Sequence, residues 1–470
     1  MRRLLVVLLC VELLLLLASI PRHSPHVDEA WFAEEAFFQA RDGYPHSNFF
    51  RGFIHEDVRI VVRHWLFITL ESAVFRAFGF GLFHMRLLPV ASATLLLALM
   101  AVFGRLSGAS SSQIVLGLLA FLLAPQAFRS FKLARPEMLA TLFGFASFLL
   151  LWLDARVPAW RWILGAGACA GAATLTHLNG AIFVAAGAAV LAAARRPLQA
   201  AAFVLAAGLV FSPYALEALA HPDLFREQIN NPLLAYKTQL RILGPLLNLL
   251  REHMRLFRKP DIIFLTSAFL VCALSLLRRP RAQDGFLLRY VLVLMVMLGV
   301  MVADKGILYS VYLVPFQALV IGAALARWRD LAPKRAERIL LGGIVGLFAG
   351  WGLFGQAKDV ADKIDIASLN REIGASLPAD GWTVAPMDMA FDELERRLLV
   401  ANLLLVREKH GQPTFADLAG YCDAKGAGHA VIYRQEGKLV EFAQQPGAAE
   451  ELFEIVRDDP RFLILKRRPF

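Results

Sequence analysis

The sequence predicts an α-helical polytopic membrane protein of about eleven transmembrane helices, ending in a small C-terminal α/β domain outside the membrane. Three observations predict it. Of the 470 residues, 57% are hydrophobic and only 19% charged, and the mean hydropathy is +0.54. Apolar runs of about twenty residues, the length that crosses a bilayer core, recur as far as Leu353. From about Lys358 the acids, Gly and Pro rise and the apolar runs shorten, as in a soluble domain of about a hundred residues. Residues 1–357 therefore read as a membrane domain and residues 358–470 as a soluble one.

The elements follow in order. Arg2-Arg3 and the run Leu4 to Ile20 have the outline of a signal peptide. No small-x-small cleavage site accompanies them, so a retained first span is expected. A long loop, residues 21–85, comes next. Within it Val58 to Phe80 is fairly apolar but carries Arg59, Arg63, His64, Glu71 and Arg76. That is too many charges for a lipid-facing helix, and an amphipathic helix in the interface fits. Further spans are expected at Leu87 to Phe103, Ile114 to Phe131, Met138 to Leu153, Trp162 to Leu175, Ala181 to Ala194 and Leu198 to Leu219. After a second long loop, His221 to Lys259, come Ile262 to Leu277, Leu287 to Val302, Ile307 to Ala326 and Ile339 to Leu353. In the soluble domain, helices are expected at Ile364 to Leu377, Phe391 to Lys409 and Ala448 to Val456. Strands are expected at Trp382 to Ala385, Ala430 to Tyr433 and Phe462 to Lys466.

Arginines set the sidedness. Alternate connections hold Arg2 and Arg3; Arg105; Arg156 and Arg161; Arg195 and Arg196; Arg278, Arg279 and Arg281; and Arg327, Arg329, Lys334, Arg335 and Arg338. The positive-inside rule puts these in the cytoplasm, so both long loops and the C-terminal domain face outward. The same residues account for the net charge of +10, and no basic-aromatic patch points to nucleic acid. The four cysteines, Cys10, Cys169, Cys272 and Cys422, have neither disulfide nor zinc-motif spacing.

On this topology the polar residues at the membrane edge gather on the outward side. Asp28 and Glu29 follow the first span and open an aromatic-rich amphipathic stretch. An acid pair there is costly to desolvate, which points to function, although Asp28 could also be a helix N-cap with Glu29 favouring the helix start. His55 to Asp57, His64, the stretch Arg129, Lys132, Arg135 and Glu137, then His177 with Asn179, and Asp304, Lys305 and Tyr309 complete six segments. A transport path places such groups nearer the midplane; a shallow site suits a substrate with a lipid tail and a polar head. Lys132, Arg135 and Lys305 are candidate phosphate partners, against snorkelling as the alternative. His177 reads equally as a satisfied polar residue at a turn. His55, with Glu56 and Asp57, could ligate a cation together with Asp28, without a metal motif. Tyr309 and Tyr312 could belong to an aromatic belt.

The order of these pieces resembles the C-type glycosyltransferase superfamily, in the branch of the aminoarabinose transferases and protein O-mannosyltransferases. The matching pieces are Asp28-Glu29-Ala30-Trp31, His64-Trp65-Leu66-Phe67, Arg86-Leu87-Leu88-Pro89, Ala134-Arg135-Pro136-Glu137, Thr176-His177-Leu178-Asn179-Gly180 and Tyr309 to Phe316, over residues 1–330. The chain departs from the family pattern at His64-Trp65-Leu66, where His-Pro-Pro is frequent, and at His177, where Lys is frequent. The resemblance implies an enzyme of the plasma (inner) membrane with an extracytoplasmic site. It would move a sugar from a polyprenyl-phosphate donor to a hydroxyl on a lipid, glycan or protein acceptor, with inversion. It implies Asp28 as general base and Glu29 positioning the acceptor or a metal. Arg135 and Lys305 would hold the phosphate, with His64, His177, Glu137 and Tyr309 as further substrate contacts. No cofactor is fixed by the resemblance; some relatives use a divalent cation. The competing readings are a transporter or flippase of a lipid-linked sugar and a non-catalytic membrane scaffold.

Overall fold

A computed structural model describes residues 2–20, 25–230, 244–278, 281–331, 335–361, 366–408, 412–435, 438–439, 442 and 448–468. Residues 21–24 and 231–243 of the two long loops, and Arg279, Lys334 and Lys409, lie outside them.

The chain is mostly helical. Among the described residues, six helices are long and apolar enough to cross a membrane: Leu82–Leu106, Pro136–Arg156, Pro197–Ala220, Pro260–Arg278, Asp284–Met301 and the helix that begins at Arg335. Ser111–Leu123 and Pro125–Lys132 make a seventh if taken as one span bent by 70°. Pro125 causes the break, because it has no N–H to continue the preceding helix. Four of the expected spans are shorter helices: Val7–Ser19, Trp160–Thr176, Ala181–Ala193 and Val314–Ala326. At about 1.5 Å per residue each is shorter than the roughly 30 Å hydrocarbon layer. These helices, with outward rows such as Leu198, Leu205, Leu209, Leu216 and Leu219 exposed, make this a multi-pass membrane protein.

The helix Val27–Asp42 joins two hydrophobic cores. Phe32, Ala33 and Ala36 pack into the core of the apolar helices. Ala30 and Phe38 pack, with Phe49 and Phe50, into a second core built on the sheet. The backbone adds to this junction, since Ala401 N donates to Phe49 O at 3.1 Å. The stretch Val58 to Phe80, expected as an amphipathic helix in the interface, is helical only over Trp65–Phe78. Its Glu71 is buried rather than on a polar outer face.

Among the described residues, the C-terminal segment contains six strands: β1 Trp382–Ala385, β2 Leu398–Ala401, β3 Ala427–Gln435, β4 Lys438–Leu439, β5 Phe453–Asp459 and β6 Phe462–Arg467. The order is β2-β1-β3-β6-β5, with β4 paired to β3. β1 runs parallel to β2 and β3, while β3–β6 and β5–β6 are antiparallel. Two expected helices are corrected. Phe391 to Lys409 is a short helix, Ala390–Glu393, then β2, then the helix Leu403–Glu408. Ala448 to Val456 is one helical turn running into β5. The helix Phe415–Lys425, opened by a Thr414–Asp417 capping box and closed by Gly426 at φ 64°, has no counterpart in the sequence reading.

Candidate active site

The site begins at a helix start. His26, not Asp28, is the N-cap of Val27–Asp42: its ring accepts from Asp28 N, and Glu29 accepts from His26 N. Asp28 therefore stands in the first turn with its carboxylate free of capping, at the positive end of the helix dipole. Its side chain is 24% exposed and ion-paired with Arg135.

Arg135 is placed by its neighbour. Pro136 disfavours helical geometry one residue earlier, and Arg135 is extended at φ −133°, ψ 152°. Its guanidinium also reaches Glu137, with Nη2 2.6 Å from Oε1. One guanidinium thus lies between two carboxylates on different helices, Asp28 and Glu137.

Two histidines close the other side. His177 ends the helix Trp160–Thr176, and its Nδ1 accepts from Asn179 N at 3.0 Å. It stacks on His64, ring centroids 4.5 Å apart, and meets Tyr309 edge-on at 5.6 Å. Burial pushes the His64 imidazole down to about 3, helped by repulsion from His177. Burial pushes His177 to about 4, against the pull of Glu137. Both rings are neutral at pH 7 and can exchange hydrogen bonds without carrying charge. His64 Nδ1 is buried with no hydrogen-bond partner among the described residues.

Asp28, Arg135, Glu137, His64, His177 and Tyr309, drawn from five separate stretches of sequence, thus stand together. Three expected roles need correction. Glu29 is fully buried and bound to Arg86, so it is not placed to touch an acceptor or a metal. Lys305 Nζ has three acceptors, Glu252 Oε2 at 2.8 Å, Val302 O at 2.9 Å and Gly299 O at 3.0 Å. An ammonium has three N–H groups, so Lys305 serves as a clamp rather than a phosphate donor. His55 pairs with Glu227 at 2.8 Å while Asp28 pairs with Arg135. They do not form a metal-donor set, and among the described residues no group of three His, Cys, Asp or Glu is placed to hold a metal ion. Lys132, the other phosphate candidate, is buried against Asp359 at 2.8 Å.

The sequence reading missed several groups. Arg86 carries no role in it beyond a short motif, and only its position opening an apolar span hints at one. Glu34, Glu35 and Glu56 are buried in the first loop. Burial pushes the Glu34 and Glu56 carboxyls up to about 8, and Glu35 well above the usual carboxylate range. Each looks like a surface acid in sequence.

No family model matches the chain, and no curated protein matches it in sequence. Solved structures do match in fold. The crystal structure of ArnT from Cupriavidus metallidurans bound to undecaprenyl phosphate superposes with a TM-score of 0.67, at 15% identity over 98% of this chain and 97% of that one. The fold is that of ArnT. The apo ArnT structure gives a TM-score of 0.65 over the same shares. ArnT is an aminoarabinose transferase of the C-type glycosyltransferases, so the resemblance read from short motifs extends to the architecture. The likeness to ArnT covers the sheet as well as the helices, since almost the whole of each chain is matched.

Proposed function

We propose that this chain is an integral membrane glycosyltransferase. It moves a sugar from a polyprenyl-phosphate donor to an acceptor hydroxyl at the outer face of the plasma (inner) membrane. The membrane domain, residues 1–357, would carry the chemistry, and residues 358–470 would form an extracytoplasmic domain against the first loop. The observation that carries the reading is the Asp28–Arg135 pair, a partly exposed carboxylate against a guanidinium, in a fold shared with a protein that binds undecaprenyl phosphate.

The reaction needs what this pair offers. The acceptor oxygen forms a bond to the anomeric carbon as the bond from that carbon to the phosphate oxygen breaks. The acceptor proton passes to Asp28, acting as general base. The bonding electrons leave with the lipid phosphate, whose growing negative charge Arg135 offsets. A single displacement without an enzyme nucleophile inverts the anomeric centre. Glu137 holds Arg135 from the other side, and the neutral His64, His177 and Tyr309 offer hydrogen bonds to donor oxygens.

The test is Asp28→Asn in purified protein supplied with undecaprenyl-phosphate-linked sugar and membrane extract as acceptor. Transfer is expected to fall at least about a hundredfold at unchanged thermal stability. Wild-type transfer by Asp28→Asn would overturn the mechanism.

A further inference from the structure

We propose that Glu29 and Arg86 are positioning residues for the Asp28–Arg135 pair, setting how Arg135 meets a lipid phosphate. The proposal rests on the glycosyltransferase reading above.

The geometry joins three chain segments on one carboxylate and a fourth through Arg86. Glu29 Oε1 accepts from Arg86 Nε at 2.9 Å and from Ala134 N at 2.8 Å. Glu29 Oε2 accepts from Arg86 Nη2 at 2.9 Å and from His26 N at 2.8 Å. Arg86 Nη1 donates in turn to Ile20 O at 2.6 Å, at the end of the first helix. Four donors fill the lone-pair sites of one carboxylate.

Each member of the Asp28–Arg135 pair is thereby one residue from an anchored atom. Asp28 precedes Glu29, and Arg135 follows Ala134, whose amide Glu29 holds. Pro136 fixes the backbone of Arg135 from the other side. A turn of the helix start, or a slide of residues 133–135, would break a hydrogen bond to Glu29. Glu29 is 0% exposed and Arg86 1% exposed, so neither touches substrate.

A purely stabilising role explains the pair poorly. Well-packed apolar residues commonly serve a dry interior as well as, or better than, a buried ion pair. Only directional bonds, however, tie Ala134 N and the start of the Asp28 helix to a single point. The pair does for the site what hydrogen bonds behind a metal ligand do: it holds the contacting groups in register.

The test uses the full chain in lipid nanodiscs with undecaprenyl phosphate as the probe, reading ligand affinity and ligand-free melting temperature separately. Glu29→Asp keeps the charge but is one methylene too short to span Arg86 and Ala134 N together. The double variant Glu29→Gln with Arg86→Met removes both charges, leaving no buried ion unpaired. Both are expected to weaken undecaprenyl phosphate binding by about tenfold or more, with melting temperatures within a few degrees of wild type. A folded variant of either kind that binds as tightly as wild type overturns the proposal. So does failure of both variants to fold, which would make the pair structural. Arg135→Ala separates the two levels. If it loses binding while the Glu29 variants keep it, only the positioning role falls. If it binds like wild type, or wild type does not bind, the reading of Arg135 itself falls.

Discussion

The imidazoles of His64 and His177 lie stacked, ring centroids 4.5 Å apart, with both rings held neutral by burial. Their lowered pKa values, about 3 and about 4, against an ordinary 6.5, mean that the unfolded chain binds these protons more readily. Their contribution is therefore complete above pH 6.5 and is lost as pH falls toward 4. At pH 5.5 the loss is about 1.4 kcal/mol per histidine. Thermal melts of wild type and of His64→Phe/His177→Phe between pH 5 and 7.5 check this. The difference between the two curves should tilt toward the variant on the acid side.

Glu56 works in the opposite direction. Burial raises its carboxyl to about 8, with the charge of Asp57 adding to the effect. Folded protein thus keeps a proton that the unfolded chain has released above about pH 4.5. This contribution is complete below that value and is lost as pH rises to 8. Relative to Glu56→Gln, wild type should lose about 2 kcal/mol between pH 6 and pH 8. Melting temperatures across that range test it; parallel curves would show Glu56 ionised in the fold.

These cases mark what the sequence could and could not reveal. The apolar helices were legible because a bilayer demands long runs. The approach of Asp28 to Arg135 was legible only as two charged stretches on one side of a topology. The roles of Glu29 and Lys305 were not, because in sequence a carboxylate holding Arg86 looks the same as one facing solvent. β2 was lost inside Phe391 to Lys409 because Leu398 to Val406 is a nearly continuous apolar run, which periodicity cannot assign to helix or strand.

Lys305→Met discriminates between a clamp and a phosphate ligand. With Nζ bound to Glu252 and two carbonyls, its removal leaves Glu252 with Arg255, 2.8 Å away. A loss of about 1–3 kcal/mol in stability is expected, with undecaprenyl phosphate affinity within about threefold of wild type. A large loss of affinity at unchanged melting temperature would restore the phosphate role.

Gly171 sets the approach of Pro197–Ala220 to the helix that ends at His177. A Cβ there would lie 2.8 Å from Ala207 Cα, and one on Gly167 would lie 2.9 Å from Ala206 Cβ. Glycines four apart let Trp160–Thr176 and Pro197–Ala220 pack backbone to backbone. Gly171→Val should cost about 3 kcal/mol, visible as a lower melting temperature and a broadened size-exclusion peak in detergent.

Arg135→Lys keeps the charge and loses the fork. A guanidinium presents separate N–H groups to Asp28 and Glu137 at once, whereas an ammonium is a compact point charge on a flexible stem. A lysine here can satisfy one carboxylate but cannot hold both and still face a phosphate oxygen. Under the proposed reaction, in which the geometry of Arg135 and not its charge alone stabilises the leaving group, transfer from undecaprenyl-phosphate-linked sugar should fall about a hundredfold, close to the loss for Arg135→Ala. Steady-state kinetics on the two variants decide the matter: if Arg135→Lys retains most of the wild-type rate while Arg135→Ala does not, charge suffices and the bridging arrangement of Asp28, Arg135 and Glu137 has no catalytic consequence.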